Sequence, residues 1–356
     1  MEWEKARLGD VCKFFSGGTP SSTNKDFYDG DIPFIRSGEI HSNSTELYIT
    51  EAGLNSSSAK IVEQGDLLLA LYGATSGDIA ISKIKGAINQ AILCIRTNHD
   101  NFFLKSCWEK HCERLLQTYL QGGQGNLSAE IVKSIKMAFP SCLEQKKISG
   151  LLSLIEERIS TQKKIIEKYE SLIRGLHQFL FQQAKYDHFV SLGDISQISN
   201  GNSDVKDASM YNDGSLYPFF DRSDEIKFLP EYLFDKEAII YPGEGAEFYP
   251  RYYNGKFALH QRCYAVYDIS TDFIPRYLYH YCKTQNSYFV RNAVGSTVAS
   301  LRLDTFKRLK IPAIPTHHQE SLVMFLDKIE AKIECNRTIL KKYEEQKKYL
   351  LFTLFI

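Results

Sequence analysis

A heptad seam is written into this chain twice. Ile148, Leu152, Ile155, Ile159, Gln162, Ile166, Tyr169, Ile173, Leu176 and Leu180 step by alternating fours and threes. The pattern returns 174 positions later as Leu322, Leu326, Ile329, Ile333, Asn336, Leu340, Tyr343, Lys347, Leu350 and Leu354. A 3.5-residue period held this long specifies a long helix that buries a narrow stripe against another helix. The polar exception repeats in place (Gln162, Asn336), and so does the aromatic (Tyr169, Tyr343). A polar layer in an apolar seam either fixes register and helix pairing at some cost in stability, or sits at a solvated point without consequence. Lys347, standing where the first copy has Ile173, predicts that the second seam loosens near its end.

The repetition extends beyond the helices. Leu8-Gly9-Asp10 is echoed by Leu192-Gly193-Asp194 at an offset of 184, and Ala87-Ile88-Asn89-Gln90 by Ala258-Leu259-His260-Gln261 at 171. Residues 127–135 and Gln145 fall on residues 301–309 and Gln319 at 174. Loop insertions and deletions between two copies of one globular unit leave such a drifting offset. The helices repeat more faithfully than the parts between them.

A chain of 356 residues is long enough for two domains with cores of their own. The opening Met1-Glu2-Trp3-Glu4 is acidic and polar and reads as no signal peptide, and no apolar run approaches the roughly 18 residues a membrane span needs. Cys12, Cys94, Cys107, Cys112, Cys142, Cys263, Cys282 and Cys335 are scattered without a C-x-x-C pair, which fits free thiols in a reducing cytoplasm. Cys107, His111 and Cys112 lack a second ligand pair at zinc-site spacing, so no metal is expected. Net charge is zero. Residues 1–140 hold 14 basic and 16 acidic groups, as do residues 186–312, whereas residues 141–185 hold 8 and 5 and residues 313–356 hold 7 and 6. Any nucleic-acid binding would therefore rest on a local groove rather than on bulk charge.

Residues 1–140 read as a mixed α/β domain. Short strand-like runs (32–35, 66–71, 91–95) are followed by a helical stretch over 102–120, a Gly122-Gly123 break, a short helix with Ser128 as N-cap, and a strand-like run at 135–139 stopped by Pro140. Residues 186–312 retell this, with strand-like runs at 233–241 and 258–267 and a tyrosine-rich helix at 275–285. The expected organisation is 1–140, a first long helix over 141–185, 186–312, and a second long helix over 313–356.

The run Ser16-Gly17-Gly18-Thr19-Pro20-Ser21 makes a tight turn that exposes backbone N–H groups; it either holds a phosphate or is only a turn. It is no Walker A loop, because no Gly-Lys-Ser/Thr follows. Taken with Leu8-Gly9-Asp10, Gly30-Asp31-Ile32-Pro33, residues 86–90, the Gly/Asn stretch 122–128, Pro140, Glu144-Gln145 and the long helix, the order of motifs resembles the specificity subunits of Type I DNA restriction–modification systems over the whole length. The second half departs from that pattern by carrying Asn200-Gly201-Asn202-Ser203 where a Gly-Gly-Thr-Pro run is expected.

The resemblance implies two mixed α/β target recognition domains, each reading one half of a bipartite double-stranded DNA sequence, joined by two long antiparallel coiled-coil helices with internal pseudo-two-fold character. Roughly 40 residues per helix give about 60 Å, enough to hold two readers about one helical turn or more apart on DNA. The helices would also dock modification (methyltransferase) subunits, two of them, with S-adenosylmethionine bound there. Restriction subunits, where present, would bring ATP. No cofactor and no metal are expected in this chain.

Catalysis finds no support in the motifs. There is no Asp/Asn-Pro-Pro-Tyr/Phe run for a flipped adenine and no G-x-G-x-x-G after a strand, and His317-His318 reads as a solvated helix start. The polar loop residues expected to reach bases or phosphates are Thr19, Arg36, Ser37, Tyr72, Thr75, Asn89, Gln90, Gln124 and Asn126 in the first domain. In the second they are Asn202, Arg222, Tyr241, Glu244, Gln261, Arg262, Ser296 and Arg302. Direct readout would pair Arg with guanine and Asn or Gln with adenine, at roughly 1–3 kcal/mol of discrimination each; the bland alternative is that such residues satisfy loop backbone. Two other classes stay open on sequence alone: a stand-alone nuclease or methyltransferase with a divergent site, and a coiled-coil scaffold whose two heads bind protein.

Overall fold

The structure, a computed structural model, describes residues 3–119, 127–183, 186 and 188–355. The chain forms two compact units, one from Met1–Lys163 with Ile339–Ile356 and the other from Lys164–Thr338. Each holds one globular α/β body and a length of both long helices.

In the first unit, strands Cys12–Ser16, Ile92–Thr97, Leu67–Ala70 and Ile79–Ile81 form an antiparallel sheet in that order. A second sheet runs Leu47–Ile49, Tyr28–Ile35, Gly86–Ile88, Lys60–Val62, with Phe34-Ile35 pairing in parallel with Ala87-Ile88. Helix Asn101–Tyr119 packs Phe103, Leu104 and the buried Trp108 on the first sheet's Leu67, Leu69, Leu93 and Ile95. Ser128 accepts from the Ile131 N–H and caps a short helix Ala129–Ser134, as its sequence predicts.

The second unit has the same pairing scheme in one sheet. Its strand order is Gln197–Asn200, Cys263–Tyr267, Phe234–Pro242, Arg251–Leu259, Tyr217–Phe220, Lys227–Leu229. The single strand Arg251–Leu259 does the work of two strands in the first unit. Most of it pairs antiparallel with Phe234–Pro242, as Ile79–Ile81 pairs with Leu67–Ala70. Its end, Ala258-Leu259, pairs in parallel with Phe219-Phe220, as Ala87-Ile88 pairs with Phe34-Ile35. The expected run 258–267 is thus corrected to two strands parted by a turn at 260–262.

The first long helix spans Cys142–His177, continuing as a π-helical segment Gln178–Gln183, and the second spans Thr316–Leu354. In each unit the seam positions face inward. Ile148, Leu152, Ile155 and Gln162 are buried and Ile159 half-buried in the first unit, where Leu340, Tyr343, Lys347, Leu350 and Leu354 are half-buried. In the second unit Ile166, Ile173, Leu326, Ile329 and Ile333 are buried and Tyr169, Leu176, Leu322 and Asn336 half-buried. The helices run antiparallel: Glu156 meets Lys347 and Arg158 meets Tyr343 in the first unit. Asn336 donates to the Lys332 carbonyl one turn back in its own helix.

Lys347 does not loosen the seam. Its ammonium reaches Glu156 at 2.7 Å and Glu109 at 2.8 Å, and Lys105 reaches the same two carboxylates at 2.6 and 2.7 Å. Burial works against the Lys347 charge, but the two carboxylates outweigh it and raise its pKa. Beyond it Leu350, Leu351, Leu354 and Phe355 pack on the first unit's core.

Both long helices begin on the same device. Gln145 is buried; its Oε1 accepts from the Asp100 N–H at 3.1 Å and its Nε2 donates to the Pro140 carbonyl at 2.8 Å. Gln319, 174 positions on, is also buried; it accepts from the Ile274 N–H at 2.8 Å and donates to the Asp272 and Ile314 carbonyls, each at 2.9 Å. An amide that accepts one bond and donates two can replace several waters at once.

Candidate nucleic-acid interface

In each unit, loops gather around one short hub of chain. In the first the hub is Asn89-Gln90-Ala91. Gly17 passes so close to the strand before the hub that a Cβ on it would lie 1.7 Å from the Ile88 carbonyl oxygen, and the Gly18 N–H donates to that oxygen. Only glycine can make this approach. It places Thr19 where its hydroxyl donates to Gln90 Oε1 at 2.6 Å. The Asn89 N–H donates to the Ile35 carbonyl, drawing in the Arg36-Ser37 loop, and the Leu71 N–H donates to the Ala91 carbonyl, drawing in Tyr72.

Thr19, Arg36, Ser37, Tyr72, Asn89 and Gln90 therefore come together, with Thr75 at the end of the one-turn helix Gly73–Thr75 that follows Tyr72. Not all are free to read bases. Arg36 Nε lies 3.0 Å from Glu39 and its Nη2 2.5 Å from Glu46, and bonds to these carboxylates raise its pKa further. Asn89 Oδ1 accepts from the Ala91 N–H, which is the bland alternative for that residue. Tyr72, Thr19 and Gln90 are exposed. Gln124 and Asn126 lie outside the described residues.

The second unit repeats the hub as His260-Gln261-Arg262. A Cβ on Gly201 would lie 1.9 Å from the Leu259 carbonyl oxygen, so Gly201 does for this unit what Gly17 does for the first, although the run around it differs. The His260 N–H donates to the Phe220 carbonyl, and the Gln261 N–H to the Ser203 carbonyl. The Leu301 N–H donates to the Gly243 carbonyl, matching Leu127 on Leu71.

Arg222, Glu244, Gln261 and Arg262 line a cavity of about 290 Å³ together with Asp204, Asp221, His260 and Cys263. Arg262 Nη1 lies 2.8 and 3.0 Å from the two Glu244 oxygens. Asp221 is 3% exposed. Burial pushes its carboxyl up, but Lys227 at 2.5 Å and the Ser223 hydroxyl and N–H outweigh this and hold it below the usual carboxylate range. Arg251 Nη2 donates to the Asp221 and Ser223 carbonyls, each at 2.6 Å, fixing the loop that presents Arg222.

Asn202, Ser296 and Arg302 are exposed on neighbouring loops, Asn202 accepting from the Ser203 hydroxyl. Tyr241 is corrected: it is fully buried, its ring 4.8 Å from Phe289 and 5.2 Å from Phe306, and from the core it reaches no base. Sequence reasoning passed over Asp221, Lys227 and Arg251, which no repeat marks. His260 was marked by the offset of 171 from Asn89 and was not taken up.

Among the described residues one His/Asp/Glu group, His280, Asp327 and Glu330, is close enough to share a metal ion. Its carboxylates are already matched by Arg276, Nε of which lies 3.1 Å from Asp327 and Nη2 2.8 Å from Glu330, and by Lys283 at 2.7 Å from Glu330. The group is an ion-pair network tying helix Pro275–Lys283 to the second long helix.

Comparison with known proteins follows this architecture. The family model described as Type I restriction modification DNA specificity domain matches residues 1–171 and again 186–345. The chain is 26% identical over 248 residues to the Type I restriction enzyme MjaIX specificity subunit of Methanocaldococcus jannaschii, covering 61% of this chain and 57% of that one. It is 24% identical over 209 residues to the EcoR124I/EcoR124II specificity subunit of Escherichia coli, covering 54% and 48%. The matches thus span about half the length of these curated relatives. In fold it is similar to the S subunit of a Type I restriction–modification system from M. genitalium, with a TM-score of 0.71 at 15% identity over 100% of this chain and 96% of that one. With the model matching twice and covering nearly all residues, the chain belongs to the Type I restriction modification DNA specificity domain family.

Proposed function

We propose that this chain is the non-catalytic specificity subunit of a Type I restriction–modification complex, reading a bipartite double-stranded DNA sequence with one hub per unit. The single observation that carries the reading is the repeated hub: Gly17 on Ile88 and Gly201 on Leu259 place polar, exposed side chains around the same backbone frame in both units. Duplicated frames with unlike side chains suit a target of two unlike halves.

The partners follow from the same reading. Leu151 and Phe325, at one repeat position on the two long helices, are 43% and 49% exposed, and Leu154 and Met324 beside them are 57% exposed each. Apolar side chains left in water at a repeated position, with others beside them, support docking of two modification subunits. These subunits would carry S-adenosylmethionine and the adenine-N6 transfer, and restriction subunits, where present, would carry ATP hydrolysis. Among the described residues no helix is long and apolar enough to cross a membrane; a cytoplasmic complex fits this and the eight free cysteines.

The test is a modified-base map of the source genome by single-molecule sequencing, with and without this gene. A split adenine-methylated motif that vanishes on deletion is the expected result. A motif that persists unchanged without the gene would overturn the reading.

A further inference from the structure

We propose that Arg262, held by Glu244, reads a guanine in the half-site taken by residues 164–338, with Glu244 as its positioning residue and Arg222 as a phosphate contact. This rests on the DNA-reading function above and adds to it a named base and a division of labour. Arg262 stands on the hub turn itself. Its side chain is 63% exposed, while that of Glu244 is 18% exposed and also accepts from the Ser300 hydroxyl at 3.4 Å.

The Glu244 oxygens take Nη1 alone. The Nε–Nη2 edge of the guanidinium is thus left to present two parallel N–H donors, the spacing that matches guanine O6 and N7 in the major groove. A guanidinium already fixed on one side loses less freedom on binding than a free one.

The other unit carries a different pair on the same frame. Its hub carries Ala91 at the place of Arg262, and Tyr72 follows Leu71 as Glu244 follows Gly243, so the pair has no counterpart there. The first frame offers instead the neutral Thr19–Gln90 pair. Two frames of the same backbone then ask for different bases. Arg222 lines the same cavity from a loop tied down through its neighbours' carbonyls by Arg251, and it is exposed. A basic group presented in this way adds affinity without sequence information.

The rival reading is a surface ion pair of little consequence. To decide, the chain is co-expressed with the modification subunits of its own system in a host free of adenine methylation, and methylated motifs are mapped for wild type, R262A, R262K, E244Q and R222A. Expected for R262A and R262K is relaxation by roughly tenfold or more at one guanine, in one half of the motif only. E244Q relaxes the same position less. R222A lowers methylation at every site alike and leaves the motif intact. A wild-type motif that R262A and R262K leave identical overturns this inference while the function above stands. So does relaxation at a base other than guanine, or in both halves. An assembled wild-type complex that methylates no split motif overturns the function itself.

Discussion

Gln145 and Gln319 show how much a single buried amide can fix. Each joins the first turns of a long helix to a loop of the globular body by two or three hydrogen bonds, in a place closed to water. Replacing Gln319 with leucine strands the Ile274 N–H and the Asp272 and Ile314 carbonyls, at roughly 1–3 kcal/mol for each group left unsatisfied. Urea unfolding should show a loss of at least about 2 kcal/mol for Gln319→Leu, and a similar loss for Gln145→Leu. His177 makes a different prediction. Its Nε2 lies 3.2 Å from His280 Nδ1, and His280 Nε2 lies 2.8 Å from Asp327, so the neutral pair passes one hydrogen bond to the next. Burial, then His280 and Lys283, push the His177 pKa down to about 4. The unfolded chain takes up this proton first, so stability is full above about pH 6.5 and falls as pH drops from there toward 4. The full difference is roughly 3 kcal/mol. A urea midpoint that stays flat between pH 7.5 and 5, or a His177→Gln variant with the same slope as wild type, would count against it.

At the scale of elements, the long helices were legible because a heptad seam depends on nothing but spacing. Every seam position from Ile148 to Leu176 is buried or half-buried. Lys347 was misread because its partners Glu109 and Glu156 come from a helix of the globular body and from the opposite helix, and neither proximity is visible along the chain. Lys347→Met should destabilise the first unit by about 1–3 kcal/mol, since Lys105 alone is left to two carboxylates; equilibrium unfolding checks this. The hub turns were legible in part. The Gly17-Gly18 run announced a tight turn but not its approach to the Ile88 carbonyl, and Gly201 sits in an unlike run and declared itself only through the Leu259 carbonyl. Tyr241 was misplaced because a tyrosine ending a strand looks the same in sequence whether it faces solvent or core. The loop braced by Arg251 and Lys227 left no trace, since both brace residues come from strands that reach Asp221 only by folding.

At the scale of the molecule, the first unit is built from both ends of the chain. Phe355 is 3% exposed, its ring 5.2 Å from Phe103 and 6.3 Å from Trp3. Phe355→Ala should cost about 3 kcal/mol of the first unit's stability. Amide exchange would localise the loss: protection should fall in the Ile92–Thr97 and Leu67–Ala70 strands and hold in Phe234–Pro242 and Cys263–Tyr267. The same discontinuity sets an order of assembly during synthesis. The chain leaves the first unit at Lys163 and returns at Ile339, with the whole of the second unit in between. A ribosome moving at about 5–20 residues per second spends on the order of 10–35 s on that interval. The unit that is started second can be finished first, while the one that opens the chain waits with its Trp3 and Phe103 face uncovered, a nascent chaperone client until the last turns of the second helix emerge.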